Sequence, residues 1–106
     1  MLWDIAGAME RIVRFTTGKD FAAYLVDDQL RSAVERQFEI AGEAMAGLRR
    51  RAPEIAEQIP DHQRMIAFRN VLIHGYAGID NRLVWGVVER DVTPLRLVVT
   101  ALLGQP

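Results

Sequence analysis

Apolar positions recur at helical spacing along almost the whole chain, and strand-like alternation is nearly absent. Leu2, Ile5, Met9, Ile12 and Val13 predict a first helix. It should stop near Gly18, a residue suited to ending a helix. A short helical turn, FAAYL, follows over residues 21–25, and Asp27 or Asp28 can cap the next helix. That third helix is expected from about Gln29 to Arg51, with Leu30, Val34, Ile40, Ala41, Ala44, Met45 and Leu48 as its apolar stripe. Ala41, Gly42, Ala44, Ala46 and Gly47 are unusually small for a helix interior. Each interior glycine costs roughly 1 kcal/mol of helix propensity against alanine, and close approach of another helix would compensate. Arg49, Arg50 and Arg51 close the helix. They are either cations at the negative end of its dipole or contacts for a phosphate backbone.

Pro53 and Pro60 bracket a short connector, and Asp61 can cap a fourth helix through RMIAFRNVLIH. A turn at GYAG leads to Asp80, a cap for the last helix. That helix carries Leu83, Val84, Val87, Val88, Val92, Leu95, Val98, Val99 and Leu102. Pro94 should kink or break it, because proline removes a backbone donor. The expected fold is all-α, a compact antiparallel bundle of about four to five helices in one domain over residues 1–106.

The fourth helix departs from the simple amphipathic pattern. Met65, Phe68 and Leu72 share one face, but Ile66, Ala67 and Ile73 widen the apolar surface well beyond a stripe. A helix apolar nearly all round should be buried on more than one side, and in so short a chain the second side is expected to be a subunit interface. Among these residues stand Arg69, Asn70 and His74, with Tyr76 just beyond. Asn70 and His74 are four apart and stack on one face. Arg69 and His74 are five apart, about 140° around the axis at about 100° per residue, so they do not converge within one helix. Two such helices crossing at a two-fold axis would bring both pairs into one cleft. An imidazole can move a proton near neutral pH, and a guanidinium offers a forked donor to phosphate oxygens. That chemistry suits phosphodiester cleavage. The plain alternatives are a helix-end histidine serving the dipole, a semi-buried arginine in an ion pair, and a half-buried tyrosine with its hydroxyl in water.

Composition narrows the field. A formal net charge of −1 argues against a generic nucleic-acid coat or a polybasic membrane binder, but leaves room for a local basic cleft. There are no cysteines and only two histidines, His62 and His74, so neither disulfides nor a structural zinc site is expected. No cofactor is implied. No apolar run approaches the roughly 20 residues of a membrane span, and the composition fits a reducing cytoplasm. Glu39 and Glu43 form a like-charge pair four apart that something should relieve. Arg36 and Arg69 are candidates. Glu43 would then orient Arg69 from behind; otherwise it is solvated or sits at a dimer contact. Trp85 is read as core or interface, and His62 is given no role.

The stretch RNVLIHGY, residues 69–76, resembles the signature of the HEPN superfamily, an Arg, four to six residues, then His. More closely it resembles the HepT-like toxins, where the pattern runs Arg-Asn-x-x-x-His-x-Tyr. VERQFEIAGEA resembles the Arg-x-x-Glu-x-x-Gly-Glu-Ala helix of that family, DNRLVW the Asp-x-x-x-x-Trp opening its last long helix, and DIAGAMERIVRFTTG its first helix. The resemblance implies a dimeric all-α bundle acting as a metal-independent endoribonuclease, the toxin of a toxin–antitoxin pair. It implies catalytic roles for Arg69 and His74, with Asn70 as the polar residue beside the arginine. Cleavage would use the ribose 2′-hydroxyl and leave a cyclic phosphate. It further implies that Tyr76 is where a partner minimal nucleotidyltransferase adds AMP and silences the toxin. It also implies several residues ahead of Asp4, where this chain begins late. A second reading is a non-catalytic helical subunit that binds or regulates such a nucleotidyltransferase. A third, a plain dimerisation domain, leaves the polar residues on the greasy helix unexplained, since unpaired burial costs several kcal/mol.

Overall fold

A computed structural model describes residues 1–75 and 78–104, and the regular structure in them is entirely helical. The elements are α1 (Leu2–Thr16), α2 (Phe21–Val26), α3 (Asp28–Arg51), α4 (Pro53–Ala56), α5 (His62–His74), α6 (Asn81–Arg90) and α7 (Val92–Leu103). The expected all-α bundle is therefore found. Among the described residues it has more segments than the sequence suggested, because the connector holds a single turn, α4, and the last helix is split.

Local chemistry explains most boundaries. Gly18, at φ +77°, takes the chain out of α1 in a left-handed conformation that suits glycine. Asp20 caps α2, its Oδ1 accepting from the Ala23 amide at 2.8 Å. Asp27, rather than Asp28, caps α3, accepting from Leu30 at 3.0 Å. Asp80 caps α6, accepting from the Arg82 and Leu83 amides at 3.0 and 3.2 Å. Asp61 is different. It holds the N-cap position of α5 at φ 59°, but its side chain makes no capping hydrogen bond and instead lies 3.6 Å from Arg64. Asp is among the few residues that adopt this left-handed geometry at low cost. The split of the last helix falls at Asp91. Pro94 then sits in the first turn of α7, where its missing amide would have had no intrahelical partner.

α3 is the spine, packing on α1 and α5, with α1 also packing on α7. The core is built from Ile5, Ala8, Met9 and Ile12 of α1, from Val34, Phe38, Ala41 and Met45 of α3, and from Val84, Val92 and Val99 of α6 and α7. Phe38, which the sequence reading left out of the α3 stripe, is fully buried, while Ile40 and Ala44 are only partly so. Trp85 is core: its ring lies 5.1 Å from that of Tyr24. Tyr24 is fully enclosed, and burial, aided by the nearby charge of Glu35, pushes its phenol well above the usual range.

The molecule is a slab of 43 × 29 × 18 Å. A helix with side chains is about 10–12 Å across, so 18 Å holds fewer than two full layers. Every helix thus keeps a solvent side. α5 buries His62, Met65, Ile66 and Leu72. Its other side leaves Val71 exposed at 50%, while Ile73, seven residues beyond buried Ile66 and so on the covered side, is 41% exposed near the helix end.

Candidate active site

The site begins on α3. At Gly42 a Cβ atom would collide with the Cβ of Arg69 and come within 3.0 Å of its Cγ and 3.1 Å of the Met65 carbonyl oxygen. The colliding atoms are the root of a side chain and backbone, neither of which can swing away. Only glycine fits, and this is the close helix approach that the run of small residues predicted. Its effect is to seat the root of Arg69 between α5 and α3.

From that seat the Arg69 side chain folds round α5 toward its neighbour. Asn70 Oδ1 accepts from Arg69 Nε at 3.1 Å and Nη2 at 2.9 Å. One carbonyl oxygen thus holds two donors of the fork. Arg69 Nη1 lies 3.9 Å from Glu43 Oε2, at the outer limit of an ion pair. The arginine side chain is 21% exposed and the glutamate 77%, so the pair is wet and worth little by itself. Arg36 Nη1 lies 3.3 Å from Glu39 Oε1, so the like-charge pair on α3 is relieved residue by residue, Glu39 by Arg36 and Glu43 by Arg69.

His74 is the last residue of α5 and is exposed, on the same face as Asn70 four residues earlier. The conformation in which the helix ends there has no room for a side chain at the next residue. At Gly75 a Cβ would press to 2.6 Å on the Val71 carbonyl oxygen, so a glycine lets the chain turn directly behind His74. Arg69 and Asn70 are brought together. His74 shares the face of Asn70, and among the described residues no hydrogen bond or ion pair joins it to Arg69 or Asn70. Tyr76, read as the modification site, lies outside the described residues.

Two features escaped the sequence reading. The side chain of His62 is 3% exposed, its Nε2 without a hydrogen-bond partner and 4.0 Å from Glu57 Oε1. Its place at a polar helix start gave no sign of burial. The other is a groove of about 350 Å³ between α5 and the α6–α7 pair, walled by Phe68, Val71, Leu83, Leu95 and Val98. Arg64 and Asp91, 3.7 Å apart, border it. It is largely apolar and none of Arg69, Asn70 and His74 lines it, so this groove is not the chemical site. Among the described residues no three His, Asp or Glu side chains converge as metal ligands, and no helix is long and apolar enough to cross a membrane.

Comparison with known proteins gives the family. Residues 5–102 match the family model "Ribonuclease HepT-like". The chain is 37% identical over 95 residues to "Probable ribonuclease HepT" of Thermococcus cleftensis, covering 90% of this chain and 86% of that protein. It is 34% identical over 95 residues, with the same coverage, to "Putative RNase MJ1380" of Methanocaldococcus jannaschii. With "Putative RNase TTE0752" of Caldanaerobacter subterraneus subsp. tengcongensis it shares 28% over 94 residues, 89% of this chain and 83% of the relative. No solved structure matches it. The chain belongs to the HepT-like ribonuclease family, a class whose chemistry is the cleavage of RNA.

Proposed function

We propose that this protein is a metal-independent endoribonuclease that works as a homodimer, with Arg69, Asn70 and His74 of both copies in one cleft. The observation that carries the reading is the Arg69 fork. It is seated at its root by Gly42 and held at its tip by Asn70, on a helix whose exposed face also bears His74. Uncovered Val71, about 60° round the helix from His74, favours a second copy against that face.

In the dimer one His74 imidazole takes the proton of a ribose 2′-hydroxyl. The 2′-oxygen attacks the adjacent phosphorus, and the P–O5′ bond breaks. The second His74, protonated, gives its proton to the leaving 5′-oxygen. The products are a 2′,3′-cyclic phosphate and a 5′-hydroxyl. The Arg69 guanidinium meets the charge gathering on the non-bridging oxygens, and its restraint by Asn70 removes reorganisation at the moment of reaction. Asn70 acts on the arginine.

The same reading makes the protein a cytoplasmic toxin neutralised by a minimal nucleotidyltransferase, which adds AMP to Tyr76. A nucleotide there would set negative charge and bulk beside His74 and repel RNA phosphate. A second reading has one observation in its favour. Glu43 is exposed and close to Arg69, where it opposes an incoming phosphate. On that reading the bundle is a regulatory subunit for the nucleotidyltransferase, and Arg69 and His74 serve the contact.

The deciding experiment is cleavage of tRNA and mRNA by purified dimer, unmodified at Tyr76 and with chelator present, beside His74→Ala. Loss of a proton-transfer group should lower the rate by about 10²- to 10⁴-fold. A folded, unmodified dimer that cuts neither RNA would overturn the nuclease reading in favour of the regulatory one.

A further inference from the structure

We propose that Arg49 and Arg50 form a second RNA-backbone subsite, continuous with Arg69 and separate from the helix-end role of Arg51. The inference rests on the ribonuclease reading and names how that enzyme holds its substrate.

Charge commitment comes first. Among the described residues the other arginines each engage a carboxylate, an amide or carbonyl oxygen, or a phenyl ring, Arg96 excepted. Arg49, Arg50 and Arg51 are exposed and engage none of these. Glu54 and Glu57 follow on and after α4, yet neither forms an ion pair with them; Glu57 lies instead 4.0 Å from His62 Nε2. The helix dipole does not account for three cations. It places about half a negative charge at the C-terminus, which one arginine already exceeds.

Position is the second argument. Seven residues of α-helix is close to two turns. It returns to within about 20° of the starting direction after about 10 Å. Arg49 is seven beyond Gly42, and Arg50 is seven beyond Glu43. Gly42 and Glu43 are the α3 residues that meet Arg69. Arg49 and Arg50 therefore stand on the same side of α3 as the Arg69 seat, one step further along. Arg51, nine beyond Gly42, lies about 180° round from it, on the far side of α3.

The side-chain direction narrows the gap. Helical side chains tilt toward the N-terminus, which here means toward Arg69. Arg50 Nη2 lies 3.8 Å from where a Cβ on Gly47 would stand, so this guanidinium reaches back along α3 over a position with no side chain. Two planar forks in line with a third suit successive phosphates of one strand. A chain of net charge −1 has no global field for RNA, so local cations of this kind must supply the attraction.

The test is the salt dependence of binding to a fully 2′-O-methylated 12-nucleotide RNA of mixed sequence, which cannot be cut. Each contact between a cation and a phosphate of a single strand contributes about −0.7 to the slope of log affinity against log salt. Arg49→Gln/Arg50→Gln should make the slope shallower by about 1.4. That is about a sevenfold smaller loss of affinity between 50 and 200 mM salt. The KM for cleavable RNA should rise with it. Arg51→Gln should change neither. An unchanged slope in the folded double variant would overturn the proposal and assign the tract to the helix end or to a protein contact. An equal change from Arg51→Gln would overturn it as well. Should the parent bind RNA and cut none, the ribonuclease reading fails, while the slopes still decide the subsite.

Discussion

α1 and α5 are both rich in aliphatic side chains, yet they meet the rest of the protein differently. α1 turns Ile5, Ala8, Met9 and Ile12 to the core, each fully buried. α5 buries Met65, Ile66 and Leu72 to 5–7% exposure but leaves Val71 half exposed and Ile73 nearly so. The difference is one of periodicity against thickness. The α1 residues fall on one face, and one neighbouring layer covers them. Those of α5 spread round the helix, and a slab 18 Å thick covers only one side. What remains is an apolar surface bearing Asn70 and His74, with Arg69 rooted on the covered side and reaching Asn70. A helix that a fold leaves half covered can present chemistry and accept a second copy together. α1 can do neither.

The comparison can be broken most forcefully in the core. Met9→Ala removes a fully buried side chain and should cost about 2–5 kcal/mol in denaturant unfolding. A cost near zero would mean that α1 is not the covered helix described here. Gly42→Ala comes next. Overpacking against Arg69 Cβ and the Met65 carbonyl should cost about 1–3 kcal/mol, more than the helix propensity alanine gains. RNA cleavage should fall beyond what lost fold explains, because the arginine seat is displaced; full activity at parental stability would remove Gly42 from the site. Val71→Ala should shift unfolding by less than about 0.5 kcal/mol at concentrations where the chain is monomeric, while weakening self-association in sedimentation. If Val71→Ala proves as costly in the monomer as Met9→Ala, the two helices are not different after all.

The smallest effect concerns Glu35 on α3. Burial, then the charge of Glu39, holds its carboxyl above the usual range, partly offset by Arg31. A carboxyl raised in the folded state favours folding fully below its unfolded pKa and loses that contribution as pH rises through its folded one. At pH 7 the ionised group is therefore a cost. Glu35→Gln should raise the melting temperature slightly at pH 7, and the gain should fade as pH drops toward about 4.3, the ordinary value for glutamate. A gain that grows on acidification would reverse the assignment.

Much of this architecture was legible beforehand. Periodicity located the long helices, the side-chain caps of α3 and α6 lay at aspartates already marked, and Pro94 foretold the break before α7. Phe38 was missed because its neighbours Ile40 and Ala44 satisfied the stripe equally well on paper. Asp61 looked like any capping aspartate, since nothing local shows that its backbone would turn left-handed and its carboxylate go to Arg64. For the site, Arg69, Asn70 and His74 were readable as a motif, and Gly42 as a small residue awaiting a neighbour. That Gly42 is the neighbour of Arg69 was not readable.

The sequence by itself determined the helices and the all-α class and marked the motif on which the proposed site rests, because period, caps and motif are local properties of the chain. Only the tertiary structure decided that Gly42 is the seat of Arg69, that the arginine turns to Asn70 with Glu43 behind it, and that α5 is covered on one side alone. The reason is geometric. A helix of given periodicity specifies which faces are apolar, but which face meets a neighbour, and how closely, depends on the layers the rest of the chain can supply.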